Sequence, residues 1–272
     1  DVVIASDLDR HGGDDDTGVF FFSSRRRHTR WTIDLSSAIG YPGNEQHARL
    51  ASAANGDVFL VAYSELGVGS DMLVSRIDAD SGQVVWSHRY DSPNGLFDIP
   101  TSTATDPQGN LFVMGSAMVG DHRRIILVKF DGLSGSVQWD RRDLHELALG
   151  AEPGAMAVGD DGGAVLLGAV EDELHTRRMF TVSVDGDTGS TRWTTRSSIS
   201  NSLVTQYGSS VLLGAAGELY AIGSSARGQA KWVPVIEKYR ALDGRLIWRF
   251  EHAVGDNSWY PCCARQTEDG SL

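Results

Sequence analysis

The chain has 272 residues, 41% of them apolar, and 24 Lys and Arg against 36 Asp and Glu give it a formal net charge of −12. This apolar share is enough for a packed core and too large for a disordered chain, and no apolar run reaches the length of a membrane helix. The acidic balance argues against nucleic-acid binding, because a phosphate backbone needs a basic face.

An internal repeat organises the whole sequence. Five of the seven tryptophans are separated by 55, 53, 54 and 55 residues: Trp31, Trp86, Trp139, Trp193 and Trp248. Five glycines keep the same period: Gly56, Gly109, Gly162, Gly217 and Gly270. Two independent markers in one register indicate a true repeat, of the kind found in solenoids and propellers.

Each unit carries the signals of four short strands. Glycines after Asn or Asp supply the positive φ of hairpin turns, and short apolar runs such as 125–128 and 164–167 are typical of buried strands. The 31 glycines and 7 prolines also argue against a mostly helical chain. We therefore expect an all-β protein, a β-propeller of four-stranded antiparallel blades with five repeat units of about 54 residues.

Residues 1–272 are expected to form a single propeller region. Its units end near the five repeated tryptophans, and 249–272 would begin a further blade. Asp1 is not a methionine, no signal segment follows it, and the last residues stop where a strand should begin. We expect the sequence to be a fragment that says nothing direct about export.

The first candidate site is acidic. Asp7 and Asp9, followed by the aspartates at 14–16, partly match the first half of a calcium loop, although His11 replaces an oxygen ligand and Gly18 stands at the closing position. The repeat register places this segment in a loop between the second and third strands. A solvated acidic loop is the simpler interpretation, and a bound cation is the alternative.

Residues 19–30 are unlike the rest of the chain. Ser24 to Arg30 matches an in-frame translation of a common sequencing-library adapter, so an artefactual insert is one interpretation. A basic surface patch for anionic partners is the other. Further along, Asn44 to Ala54 is rich in helix formers, but the register assigns it to a first strand, and we give the register more weight than propensity.

Three units share an Asp, a Gly four residues later and a Trp four residues after that: Asp78, Gly82 and Trp86; Asp131, Gly135 and Trp139; Asp185, Gly189 and Trp193. The pattern resembles the tryptophan-docking motif of quinoprotein alcohol dehydrogenases and the wider pyrroloquinoline-quinone-like β-propeller repeat proteins. The resemblance covers essentially the whole chain. It implies a structural motif, in which the glycine reverses the chain between the outer two strands and the indole packs between blades.

Two units depart from this pattern. The last keeps Gly244 and Trp248 but has Arg240 in place of Asp, and the first has Ser23 and Arg27 in place of Asp and Gly. Relatives of this type usually have more than five blades. The resemblance therefore implies an incomplete arc of a larger propeller, with a self-closing five-blade ring as the alternative.

Adjacent Cys262 and Cys263 are the candidate cofactor-binding residues, since some quinoprotein alcohol dehydrogenases carry a disulfide between neighbouring cysteines beside the quinone. The register places the pair on a first strand, and first strands line the channel of a propeller. Neighbouring side chains on a strand point to opposite faces, so a disulfide would need a distorted peptide. The alternative is two small buried side chains.

No other catalytic motif occurs: the sequence has no zinc spacing, nucleophile elbow, Walker loop or dinucleotide fingerprint. Trp232 and Trp259 lie off the repeat and could bind sugars or peptides from loops, although blade packing is the commoner role.

Two functions remain. The first is a non-catalytic scaffold that binds a protein or small-molecule ligand, and the second is a fragment of a dehydrogenase that depends on pyrroloquinoline quinone and calcium. The resemblance alone implies an extracytoplasmic location.

Overall fold

The computed structural model describes residues 2–9, 15–23, 27–40, 44–53, 55–65, 69–92, 98–119, 121–144, 150–173, 175–197, 204–214, 217–227, 231–252, 258, 260–261 and 264.

The elements among these residues are almost all strands. In chain order they are β1 (Val2–Asp9), β2 (Asp15–Ser23), β3 (His28–Asp34), α1 (Leu35–Ile39), β4 (Asn44–Ser52), β5 (Val58–Glu65), β6 (Ser70–Ile77), β7 (Val84–Tyr90), β8 (Ile99–Thr105), β9 (Leu111–Val119), β10 (His122–Phe130), β11 (Val137–Arg141), β12 (Gly150–Val158), β13 (Ala164–Glu171), β14 (Arg177–Val184), β15 (Thr191–Arg196), β16 (Val204–Leu213), β17 (Glu218–Arg227), β18 (Val233–Arg240) and β19 (Leu246–Glu251). No helix among the described residues is long and apolar enough to cross a membrane.

The strands form consecutive antiparallel sheets, each built from neighbours in sequence. Four sheets have four strands in the orders β4-β5-β6-β7, β8-β9-β10-β11, β12-β13-β14-β15 and β16-β17-β18-β19. Among the described residues the first sheet has three strands, β1-β2-β3. Since β3 carries Trp31 as β7 carries Trp86, β1 holds the place that β5 holds in the next sheet.

The chain divides into two compact units. The first comprises 1–121 and 127–140, and the second comprises 122–126 and 141–272. In the first, a core cluster forms around residues of β2, β5 and β6 such as Val19, Leu60 and Leu73. In the second, Leu167, Leu219 and other residues of β13 to β18 form a comparable cluster.

Burial follows position in the sheet. All eight residues of the third strand β6 are buried, whereas the outer strand β7 has partly buried and exposed residues up to the buried Tyr90. A strand that is buried on both faces tends to be a continuous run of apolar residues. Such runs predicted the middle strands from the sequence. The strand predicted at Asn44 to Ala54 is confirmed as β4, because pairing with β5 overrides its helical propensity.

The turns between third and fourth strands share one backbone conformation. Gly82, Gly135, Gly189 and Gly244 have φ of 75°, 74°, 69° and 68°, the left-handed region where glycine carries no steric penalty. Arg27 takes the same place in the first sheet with φ 55°, and its N–H donates to the Ser23 carbonyl at 2.8 Å. The turn therefore keeps its form in the unit whose sequence departs from the motif. Residues 19–23 and 28–30 lie in β2 and β3, and their artefactual origin stays a prediction.

Candidate functional site

The motif aspartates hold the turns between third and fourth strands. The Asp78 carboxylate accepts hydrogen bonds from the Ser81 N–H at 2.7 Å and the Ser81 hydroxyl at 2.6 Å. Asp131 and Asp185 make the same pair of bonds with Ser134 and Thr188. In the last sheet, which has Arg240 in place of the aspartate, the Arg240 guanidinium forms an ion pair with Asp243 of the same turn.

The motif tryptophans lie against the turn of the following sheet. The Nε1–H groups of Trp31 and Trp193 donate to the carbonyls of Ala79 and Ala241, each at 2.9 Å. Trp86 donates to the Gly132 carbonyl at 3.3 Å. A Cβ added to Gly244 would lie 2.5 Å from Cε3 of Trp193, so this glycine serves both the positive φ and the close approach of the ring.

The Asp185 carboxylate gives a pH-dependent test of these turns. Hydrogen bonds from the Thr188 N–H and hydroxyl and from Arg192 lower the pKa of Asp185 to about 2. Because the pKa of Asp185 is lower in the folded state than in the unfolded state, its ionised form stabilises the fold at pH values above the unfolded-state pKa. This stabilisation is lost as the pH falls through about 2. We expect Asp185→Asn to lower the free energy of unfolding at pH 7 by about 1 kcal/mol. The difference from wild type should shrink between pH 5 and pH 2 in urea titrations. Asp187→Asn in the same turn is the control, and an equal, pH-independent loss in both variants would contradict the assignment.

A second repeated contact was missed from sequence. Arg76, Lys129 and Lys238 form ion pairs with Asp57, Asp106 and Glu218 at 2.8, 2.9 and 3.1 Å. Burial raises the pKa of Asp106, but hydrogen bonds from Lys129 and Asn110 outweigh it and leave that pKa lowered. The sequence signal is a basic residue ten positions before a repeated tryptophan. These pairs tie the third strand to the turn between the first and second strands, which is a structural role.

The predicted site residues are only partly described. Strand β1 extends through Asp7 and Asp9, whose backbones lie opposite Thr17 and Asp15 in β2. The prediction of a loop is therefore wrong at these two residues, because their pairing continues to the end of the hairpin. Their side chains, Cys262, Cys263 and Trp259 lie outside the described residues, so the metal and cofactor assignments stay predictions.

Three other carboxylates come together in the first unit. One oxygen from each of Asp71, Asp91 and Asp98 lies within 4.8 Å of the others. Asp71 already pairs with Arg89, while Asp98 accepts bonds from the Ser92 N–H and hydroxyl at 2.6 Å each. Burial raises the pKa of both Asp71 and Asp98, and the charge of Asp91 adds to this. Arg89 offsets the charge of only one of the three carboxylates, so Asp91 repels the other two.

Asp91→Asn should therefore stabilise the chain near neutral pH. The raised pKa values of Asp71 and Asp98 mean that stability is lost as pH rises through them, and Asp91 contributes to that loss. We expect a gain of about 0.5 kcal/mol in the free energy of unfolding at pH 7. The gain should shrink at acidic pH, because protonation of Asp71 and Asp98 removes the repulsion from Asp91. Asp121→Asn, an exposed aspartate of the same unit, is the control; destabilisation by Asp91→Asn would contradict the repulsion.

The second unit carries a polar group at the opposite end of its strands from the glycine turns. We name it the Arg177 cluster: Glu152, Glu171, His175, Arg177 and Tyr207. Arg177 donates to Glu152 at 2.5 Å, to the Tyr207 hydroxyl at 2.9 Å and to Glu171 at 3.2 Å. His175 lies 2.7 Å from Glu171 and is 76% exposed. The hydrogen bond from His175, together with Arg177, lowers the pKa of Glu171.

Aromatic rings continue from this cluster toward solvent. We name Tyr207, Trp232 and Tyr260 the aromatic strip. Ring centroids are 5.5 Å apart between Tyr207 and Trp232 and 5.7 Å apart between Trp232 and Tyr260. The Arg177 guanidinium lies 5.5 Å from the Tyr207 ring centre, and Tyr260 is 64% exposed. Trp232, which lies off the repeat, is thus part of a partly exposed surface.

The family model described as outer membrane protein assembly factor BamB, of the PQQ-like repeat type, matches residues 27–233, more than half of the chain. The chain belongs to this BamB-type PQQ-like repeat family. The resemblance drawn from the motif is confirmed. No curated protein matches the chain.

Solved structures agree on the fold of this BamB-type chain. A protein of unknown function from Dyadobacter fermentans is 12% identical with a TM-score of 0.56, covering 77% of this chain and 69% of that one. Quinohemoprotein alcohol dehydrogenase from Comamonas testosteroni is 13% identical with a TM-score of 0.53, covering 89% of this chain and 42% of that one. A PL25 ulvan lyase is 10% identical with a TM-score of 0.57, covering 89% and 61%. At these identities the likeness shows the fold alone, and the predicted β-propeller class is confirmed.

The dehydrogenase ligands do not assemble among the described residues of this BamB-type chain. The three-carboxylate group found there includes the cationic Arg89 as a partner of Asp71, which does not suit a site for calcium and a quinone.

Proposed function

We propose that this BamB-type chain is a non-catalytic propeller module of an exported bacterial protein, which binds a partner through the Arg177 cluster and the aromatic strip. One observation carries the proposal. The aspartates, glycines and tryptophans of the repeat motif hold the turns and sheets together, whereas Trp232 of this surface lies off the repeat and Tyr260 is 64% exposed.

The arrangement of charges supports binding rather than catalysis. Arg177 is held by two carboxylates and a phenol, so its guanidinium is fixed in place before any partner arrives. Fixed polar groups beside exposed aromatic rings are typical of interaction surfaces, because rings supply contact area at low entropic cost. The family description, an outer membrane assembly factor, supports an extracytoplasmic protein that interacts with other proteins.

Site-specific photo-crosslinking tests this surface in the full-length protein in its own cell. A benzophenone amino acid at Tyr260, which is 64% exposed, should give discrete adducts on irradiation. The control is the same amino acid at Leu242, which is 82% exposed in the turn after β18. Trp232 and that turn lie at opposite ends of the eight-residue strand β18, so the two probes sample separate surfaces.

The expected result is an adduct at Tyr260 that is lost with Arg177→Gln and absent at Leu242. Equal adducts at both positions, or none at Tyr260, would contradict the proposed surface. Fractionation of the same cells tests export, and recovery in the cytoplasm would contradict that part.

The alternative is a fragment of a dehydrogenase that uses pyrroloquinoline quinone and calcium. It is supported by the motif and by fold likeness, neither of which carries a reaction. Titration of the full-length protein with quinone and calcium, followed by dye-linked alcohol oxidation, separates the two functions. Turnover would overturn the non-catalytic proposal.

A further inference from the structure

The last of the repeated tryptophans is the most exposed one. Trp248 lies in β19 and is 40% exposed. The other four are all less exposed: Trp31, Trp86, Trp139 and Trp193. Phe250, two residues further along β19 and therefore on the same side of the sheet, is 50% exposed. We name these two side chains the Trp248 face. Two large exposed rings side by side are typical of an interaction surface.

In three other units the same indole is covered by one kind of partner. The Nε1–H group donates to a backbone carbonyl 46 to 48 residues later in the chain: Trp31 to Ala79, Trp86 to Gly132 and Trp193 to Ala241. Each acceptor directly follows the first residue of the glycine turn in the next sheet. None of the described residues accepts a hydrogen bond from Nε1–H of Trp248.

This contact requires a glycine in the turn. A Cβ added at Gly82, Gly135 or Gly244 would lie 2.7, 2.7 or 2.5 Å from an atom of the docked indole, closer than real Cβ atoms approach a ring. At Gly56, where φ is also positive at 93°, a Cβ would have nothing within 4 Å. The close approach of the ring, and not only the positive φ, therefore selects glycine in the turns that hold a tryptophan.

A second copy of the chain does not offer a suitable turn. The turns at Gly82, Gly135 and Gly244 already hold a tryptophan of their own chain. In the first sheet the corresponding turn has Arg27 at φ 55°, whose Cβ stands where a docked indole would lie. Trp248 therefore fits a glycine turn that lies outside the described residues.

The second ring of the Trp248 face also occupies a repeated contact position. The residue two positions after the tryptophan reaches the same turn in two units: His88 Nε2 lies 3.1 Å from the Ser134 carbonyl, and Arg141 donates to the Gly189 carbonyl. Phe250 takes this position in β19. It has no N–H to donate from its ring, so its contact with a turn is apolar.

We propose that the Trp248 face is a docking surface for the glycine turn of one further blade, formed by the polypeptide that follows β19 in the full-length protein. The indole N–H donates to a carbonyl of that turn, the ring lies on its glycine, and an apolar group of the turn covers Phe250. All three observed contacts run from one sheet to the next sheet along the chain, so we assign the same source here. The inference does not depend on the partner-binding surface proposed above.

The spacing of the repeat makes the occupant recognisable. The turn glycine comes 49 to 51 residues after the tryptophan that docks on it or precedes it by one unit, as with Trp86 and Gly135 or Trp193 and Gly244. The full-length sequence should therefore have Gly 49 to 51 residues after Trp248, with Ala or Gly at the acceptor position 46 to 48 residues after it.

Hydroxyl-radical footprinting read by mass spectrometry tests the docking. In residues 1–272, Trp248 should oxidise faster than Trp193. In the full-length protein, Trp248 oxidation should fall by about threefold, to the rate of Trp193, because a covered ring is shielded from solvent. Replacement of the turn glycine of the following blade by alanine should restore the faster rate.

Matched glycine variants test the geometry within residues 1–272. Gly82→Ala should raise Trp31 oxidation by about twofold, because the new Cβ displaces the ring. Gly56→Ala also introduces a Cβ at positive φ but has no ring beside it, so Trp31 oxidation should stay unchanged. Far-ultraviolet circular dichroism of each variant separates loss of the contact from loss of the fold.

Equal Trp248 oxidation in the two chains would overturn the proposal. So would a full-length sequence without glycine at the stated spacing, or equal effects of Gly82→Ala and Gly56→Ala on Trp31. Protection of Trp248 in residues 1–272 that increases with protein concentration would identify a second copy as the occupant and would also overturn it.

Discussion

Glu237→Ala should lower the free energy of unfolding by about 3–5 kcal/mol. Glu237 lies in β18, is 1% exposed and accepts hydrogen bonds from Ser197, Tyr239 and Arg249. Burial and the Glu237 charge raise the pKa of Tyr239, so its hydroxyl stays protonated as a donor. Alanine would remove the buried counter-charge of Arg249 and the acceptor of the Ser197 and Tyr239 hydroxyls together, and Glu251, at the more exposed side of the guanidinium, would compensate only part of that loss. Urea unfolding followed by tryptophan fluorescence measures the loss.

Glu251→Ala is the matched control for this network. Glu251 pairs with the same guanidinium, but its side chain is 29% exposed, so water can replace it and the loss should stay below about 1 kcal/mol. The double variant Glu237→Leu with Arg249→Met should recover most of the stability, because it removes both charges together. Equal losses for Glu237→Ala and Glu251→Ala would contradict a buried, coupled network.

Trp193→Ala should lower the free energy of unfolding by about 3–5 kcal/mol. The Trp193 indole packs against the core cluster of the second unit, lies against Gly244 and donates to the Ala241 carbonyl. Its removal leaves a cavity and an unpaired carbonyl at once. Trp193→Phe keeps a ring but loses the donor, and should cost about 1–2 kcal/mol. The measurement is the urea midpoint at constant slope.

The repeat supplies its own control for this residue. Trp248 has the same position in the next repeat, on β19, but it is 40% exposed. Trp248→Ala should therefore lower the free energy of unfolding by less than about 1.5 kcal/mol. Gly244→Ala should destabilise by about 2–3 kcal/mol, because its φ is positive and its Cβ would meet the Trp193 ring. Part of that loss should disappear in a Trp193→Ala background. Additive losses would show that the two residues do not interact.

The turns were recognisable from sequence because they depend on short-range geometry. An Asp followed four residues later by Gly at Asp185 and Gly189 fixes both the carboxylate acceptor and the left-handed residue of one turn. Arg27 shows the limit of this reasoning, since the same turn forms there without glycine. Pairing of β2 with β3 on either side holds Arg27 at positive φ, a constraint that lies outside the turn itself.

The ion pairs between the third strand and the turn before the second strand were only half predictable from the sequence. Arg76 and Asp57 are 19 residues apart, and the pairing of β5 with β6 brings them together. The basic residue ten positions before the tryptophan was visible in the repeat. Its partner was not, because the acid comes from different positions: Asp57 follows Gly56 in one unit and Asp106 precedes Gly109 in another.

The sequence by itself determined the period, the strand class and the turn residues, and through them the repeat family. Each of these depends on the order of residues along a few neighbouring positions. Only the tertiary structure decided which polar residues meet. Glu152, Arg177 and Tyr207 come from β12, β14 and β16, so packing alone brings them within hydrogen-bond distance. The repeat determines the features that all repeat units have in common. A binding site is built from residues that occur in one repeat unit and not in the others.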